Sequence, residues 1–173
     1  GEDAFTVDLY NAGNFQWANR FGGTANDSVS GLAMGVSGTI CVTGDFQATV
    51  DFDPGTSVVN LTSAGGTDVF VMALTPSGAL SWARRFGGVL DDYVAAVDSD
   101  SEGNFYTIGS FVGVVDFDPG IETTNLTSAG DFDVFVSSLD SAGNYIWSRS
   151  LGGSQQESAA GIALDSAGNV YTT

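Results

Sequence analysis

Hydrophobic residues alternate with small or polar ones along short stretches, and Gly-rich punctuation separates these stretches about every ten residues. Period-two runs bounded by turn residues predict β-strands, and no long 3.6-residue periodicity predicts a helix. The first run, Asp3 to Leu9 (DAFTVDL), returns as DVFVMAL and DVFVSSL. It places Phe5, Val7 and Leu9 on one face and small or branched residues on the other, so it is expected to be buried on both faces. A turn (NAGN, PSGA, SAGN) leads to a second strand with Phe15, Trp17 and Phe21, matched by Leu80, Trp82 and Phe86 and by Tyr145, Trp147 and Leu151. A Gly-Gly pair and a polar loop precede a third strand around Val29 to Met34, Val94 to Val97 and Ala159 to Leu164. The fourth reads TICVTG, NFYTIG and NVYTT.

These runs belong to one tandem unit. Trp17, Trp82 and Trp147 are 65 residues apart, as are Phe5, Phe70 and Phe135, and the Gly-Gly pairs at Gly22, Gly87 and Gly152 keep the same step. The chain divides into unit 1 (1–65), unit 2 (66–130) and a partial unit 3 (131–173) that lacks the counterpart of Gly44 through Gly65. Four strands joined by short turns predict an antiparallel sheet in each unit. A sheet apolar on both faces must stack on its copies. The expected fold class is therefore all-β, with tandem four-stranded sheets arranged radially as β-propeller blades. Propellers close with roughly four to eight blades, so the chain is expected to form an incomplete ring. Further blades of the same protein, or head-to-tail self-association into a ring or filament, would continue it.

Composition narrows the partners. The net charge is −17, the only basic residues are Arg20, Arg84, Arg85 and Arg149, and there is no Lys. Nucleic acid is therefore a poor partner, and docking on anionic lipid is disfavoured. No apolar stretch approaches the length of a membrane span, and GEDAFTVDLY lacks the pattern of a signal peptide. Cys41 is alone and reads as a small core residue.

The set DAFTVDLYNAGNFQWANRFGG, GNFYTIGSF and VDFDPG resembles the bacterial SBBP repeats, named for a seven-bladed β-propeller, and the resemblance covers the whole chain. It implies blades that serve as scaffold or adhesive modules of a large secreted or cell-surface bacterial protein. It brings no catalytic residues to carry over. The stretch from DFDPG to NLTSAG is an addition to the simplest blade of that kind.

The strongest chemical candidates are Asp51 and Asp53, repeated as Asp116 and Asp118, which alternate along an extended segment ahead of a Pro-Gly turn. Paired hard carboxylates suit Ca²⁺ completed by carbonyls and water. The competing and preferred reading is an Asp that caps its own turn. Asn60, Asn125 and Asn26 open N-x-[ST] sequences and are candidate glycosylation sites. Asp3, Asp68 and Asp133 start the first strand of each copy and are expected to be structural. The pairs Asn26-Asp27, Asp91-Asp92 and Gln156-Glu157 vary in charge and read as a solvated edge.

No His or Lys is present, and the notable carboxylates all recur by repetition, whereas a single active site should break the repeat. The expected function is a non-enzymatic extracellular structural or adhesive repeat module. The alternative is a propeller that binds carbohydrate or peptide, with a surface glycan or protein as partner. That alternative calls for one copy to depart from the others at loop positions, and the departures are modest: Tyr93 beside Asp91-Asp92, and Phe132 where the other copies have Glu2 and Thr67, so structural use is preferred.

Overall fold

The computed structural model describes residues 1–173, and the alternating runs form strands throughout. In chain order these are β1 (Ala4–Leu9), β2 (Phe15–Phe21), β3 (Ser28–Met34), β4 (Ile40–Phe46), β5 (Thr49–Asp51), β6 (Asn60–Thr62), β7 (Asp68–Leu74) and β8 (Leu80–Phe86). They continue as β9 (Tyr93–Ser99), β10 (Phe105–Phe111), β11 (Val114–Asp116), β12 (Asn125–Thr127), β13 (Asp133–Leu139), β14 (Tyr145–Leu151), β15 (Ile162–Leu164) and β16 (Val170–Thr172). The sole helical element is a 3₁₀ turn at Val36–Gly38.

The strands assemble into small antiparallel sheets. Two are four-stranded, in the orders β3-β4-β7-β8 and β9-β10-β13-β14, and the pairs β1-β2, β5-β6, β11-β12 and β15-β16 are two-stranded. Each four-stranded sheet thus takes its first two strands from one sequence unit and its last two from the next. This corrects the expectation that residues 1–65 would close one sheet by themselves. The physical reason is burial. The fourth strand of one unit and the first strand of the next are the most completely buried, with all seven residues of β7 and six of seven in β4 covered. Strands covered on both faces belong in the middle of a sheet, and β4 pairs β7 from Ile40–Leu74 to Phe46–Asp68. Gly44 of β4 lies between β3 and β7, where a Cβ would lie 1.8 Å from the Ser28 carbonyl oxygen of β3 and 2.7 Å from the Phe70 ring of β7.

The two faces of β7 fill two cores. Phe70, Met72 and Leu74 pack in a cluster with Ala4, Phe21 and Val42, while Val69, Val71 and Ala73 pack with Val94, Val97 and Phe135 of the following sheet. Successive sheets therefore stack face to face. The DFDPG–NLTSAG stretch is a hairpin (β5-β6 or β11-β12) that folds back over its own sheet. Phe52 lies 4.8 Å from Phe70 and edge-on to Phe46 at 5.4 Å, and Phe117 repeats this at 4.8 Å from Phe135 and 5.5 Å from Phe111.

The expectation that every first strand is buried on both faces holds for β7 and fails for β1. Phe5 and Leu9 are 70% and 53% exposed, because β1 pairs only with β2 and has no sheet stacked on its outer face.

Candidate functional site

The carboxylates singled out by the sequence are engaged by the chain's own amides. Asp51 Oδ1 accepts the N–H groups of Asp53 (3.1 Å) and Val59 (2.8 Å), and Asp53 Oδ1 accepts that of Gly55 (2.7 Å). Asp116 and Asp118 repeat the arrangement with Asp118, Thr124 and Gly120 as donors. Asx bonds of this kind fix a turn, and here they tie the hairpin to its Pro-Gly tip. Nowhere does a group of three or more His, Cys, Asp or Glu side chains converge. Calcium at either pair would draw on two side chains, with carbonyls and water supplying the rest. Asn60, Asn125 and Asn26 are all exposed, and Asn26 Oδ1 accepts the Glu2 N–H.

The loop pairs form a solvated edge only through their first residues: Asn26, Asp91 and Gln156 are exposed, whereas the second residue of each pair is turned inward. Asp27 and Asp92 are 5% and 1% exposed. Asp92 Oδ2 accepts the Gly88 N–H (2.7 Å) and its Oδ1 the Val112 N–H (3.2 Å). Asp27 does the same for Gly23 and Gln47. In the third copy Glu157 accepts the Gly153 N–H at 3.0 Å. The neighbouring Asp91 accepts the Thr67 N–H. One residue thus joins the Gly-Gly loop to the loop after the fourth strand. The signal was present in the sequence as an acid four residues beyond the second Gly of every pair. Burial pushes the Asp92 carboxyl up to about 7, with the bonds from Gly88 and Val112 acting against the shift and Asp68 and Asp91 adding to it. Burial likewise raises Asp45 to about 6, opposed by its bonds to Val94 and Ser28.

Asp68 is fully buried and paired with Arg85 at 2.6 Å, while Asp133, at the same place in the next copy, meets the Ser150 hydroxyl at 3.3 Å. Cys41 is fully buried, and burial pushes its thiol far above the usual range, so no thiolate is presented.

The tryptophans join one sheet to the next. The Trp17 indole N–H donates to the Pro76 carbonyl (3.1 Å) and that of Trp82 to the Ser141 carbonyl (3.0 Å). Each ring lies flat over a turn glycine, so that a Cβ at Gly78 or Gly143 would come within 2.7 Å of it. Trp17 and Trp82 thus make the same inter-sheet contact, which the 65-residue spacing of the three tryptophans would extend to Trp147 as well. Trp147 differs: it lies edge-on to Tyr106 (6.0 Å) with Arg149 over its ring (5.9 Å), and no turn covers it.

The repetition also breaks where two aromatic rings meet. Tyr93 and Phe132, which stand where the preceding copy has Ser28 and Thr67, come together with ring centroids 5.9 Å apart. They line a cavity of about 250 Å³ together with Ser110, Gln156, Glu157 and Ala159. At the preceding junction Thr67 instead accepts a hydrogen bond from the Gln47 amide at 2.8 Å. An apolar cleft with polar groups at its rim replaces a polar contact.

No family model matches the chain. A similar curated protein is the regulatory protein FlaEY of Caulobacter vibrioides. It is 25% identical over 162 residues, an alignment that takes in 89% of this chain and 16% of the relative. The chain thus spans a small part of that protein's length.

Proposed function

We propose that the chain is a non-enzymatic structural or adhesive repeat module, its sheets acting as β-propeller-type blades of a secreted or surface-exposed bacterial protein, in keeping with the resemblance to SBBP repeats. The observation that carries this reading is the use made of the carboxylates. Asp27, Asp92, Asp51 and Asp116 hold backbone amides at repeating positions, so the acidic chemistry maintains the stack. The Caulobacter relative is named a regulatory protein, and the matched stretch is a small share of it. A rigid scaffold can serve within such a chain. Surface location is tested by treating intact cells of the producing bacterium with an impermeant protease or antibody. The module should be cut or labelled without lysis; recovery only from the cytosol of lysed cells would overturn the reading.

A second reading, a ligand-binding propeller, is favoured by the convergence of Tyr93 and Phe132. Aromatic faces beside Gln156 and Glu157 suit a neutral sugar ring, whose hydroxyls pair with the rim and whose C–H face packs on the rings. An array of neutral oligosaccharides should give signals for the native chain that Tyr93→Ala abolishes. Identical signals from both proteins, or none from either, would dispose of the cleft as a sugar site.

A further inference from the structure

An aspartate stands at the start of the first strand in every sequence unit, and the three copies differ in what faces it. Asp3 is paired with Arg20 at 3.3 Å and Asp68 with Arg85 at 2.6 Å, whereas the residue in that place in the third copy is Ser150, whose hydroxyl meets Asp133 Oδ2 at 3.3 Å. Asp133 faces no guanidinium. It is nonetheless 2% exposed; its Oδ2 also accepts the Ala129 N–H at 3.0 Å, and its Oδ1 is buried with no hydrogen-bond partner. Asp68 Oδ1 is likewise unpartnered, but there Arg85 neutralises the carboxylate. Glu157, which stands where the second copy has Asp92, turns towards the same place: Asp133 Oδ1 and Glu157 Oε2 lie 2.6 and 2.7 Å from the point that a Cβ at Gly152 would occupy. Two carboxylates converge there without a basic side chain. Arg149, next to Ser150, belongs to the opposite face of β14 by strand alternation and lies over the Trp147 ring.

We infer that Asp133 and Glu157 hold a calcium ion in the place that an arginine side chain takes in the two preceding copies. The arginine's own contacts name the donors. Arg85 Nη1 donates to Asp68 Oδ2 and, at 3.1 Å, to the Gly87 carbonyl. The counterparts of those acceptors are Asp133 Oδ2 and the Gly152 carbonyl, to which the third copy adds the Ser150 hydroxyl and Glu157. All are hard oxygen donors, and Ca²⁺ completes a shell of six to eight such oxygens with water. A buried carboxylate without a counter-charge is costly, and a bound cation offsets that cost as the guanidinium does elsewhere. The net charge of −17 raises the local concentration of cations as well. The site lies between two sheets of the stack. Asp133 and Ser150 share a face of their sheet with Phe135, which is in one core with Val69 and Val71 of the preceding sheet and is capped by Phe117 of the β11-β12 hairpin. It is distinct from the Asp51–Asp53 and Asp116–Asp118 turns, whose carboxylates are bonded to backbone amides.

Thermal unfolding of the native chain, Ser150→Arg and Asp133→Asn is compared in chelator and in Ca²⁺, with NaCl holding the ionic strength equal. Calcium at a hundredfold excess over its dissociation constant should raise the native melting temperature by about 5–10 °C. Ser150→Arg is the decisive variant, because it rebuilds the ion pair of the other two copies. It should melt in chelator near the temperature of the calcium-loaded native chain, and added Ca²⁺ should move it by less than half the native shift. Asp133→Asn is isosteric and keeps an acceptor for the Ala129 N–H, so the fold is preserved, and it too should lose the response. Calcium held by the Asp51–Asp53 or Asp116–Asp118 turns, or general screening of the acidic surface, would shift all three proteins alike. Such a uniform shift would overturn the inference, as would a native chain that melts at one temperature in chelator and in Ca²⁺. Surface labelling of intact cells is independent of these melts, so the module reading and the calcium site can fail separately.

Discussion

Replacing Trp82 by alanine should destabilise the chain by about 3–5 kcal/mol, the usual cost of removing a buried large aromatic, while the same change at Trp147 should cost less than about 1.5 kcal/mol in dilute solution. Trp82 is 8% exposed, packs 6.1 Å from Phe105 and satisfies its N–H on the turn of the next sheet, so its loss opens a cavity between two sheets and leaves the Ser141 carbonyl without that donor. Trp147 is half-exposed and rests only against its own sheet. Urea denaturation monitored by circular dichroism measures both, and equal losses at the two positions would show that stacking is not what Trp82 secures.

The chain should be more stable near pH 5 than at pH 8, against the common pattern. Asp92 and Asp45 have carboxyl groups raised by burial to about 7 and about 6, above the value of about 3.9 expected unfolded. Between these limits the folded state holds protons that the unfolded state has released, so stability falls as pH rises through the window. For Asp92 the gap from about 4 to about 7 is worth at most on the order of 4 kcal/mol. At the acid end the sign reverses. Asp100 and Asp140 are held below their usual range because hydrogen bonds to their carboxylates outweigh partial burial, and that contribution is lost as pH drops below about 4. Melting temperatures across pH 3–9 should therefore peak on the acid side of neutrality. Asp92→Asn, which cannot ionise, should remove roughly half or more of the decline between pH 5 and pH 8. A decline of undiminished slope in that variant would assign the effect to general charge repulsion instead.

The strands and their faces were legible because period-two spacing is a local property, and the apolar series of Asp68 to Leu74 announces a strand covered on both sides. Sheet membership was not, since nothing in local spacing states that β4 reaches across a hairpin of its own to pair with β7. Burial on both faces was the available clue to a central position, and TICVTG and DVFVMAL share it. The role of Asp27 and Asp92 follows from their fixed distance from the Gly-Gly pair, whereas the charge of the loop pairs varies from copy to copy. A carboxylate four residues past the Gly-Gly pair has the second glycine's amide within reach, and buried Asp27 and Asp92 satisfy it. Tyr93 and Phe132 stood out as departures from the repeat, but only the stacking of sheets brings positions 39 residues apart in sequence to one cleft.

The sharing of every four-stranded sheet between neighbouring units bears on how such a gene can grow. Because the pattern repeats every 65 residues without a gap, an in-frame duplication of any window of that length adds one four-stranded sheet and its capping hairpin, wherever the breakpoints fall. A duplication starting inside β7 is as good as one starting in a loop, since the strand interrupted at one junction is restored at the other. Recombination between copies then changes the length of the stack in whole sheets and leaves the lateral contacts between them intact.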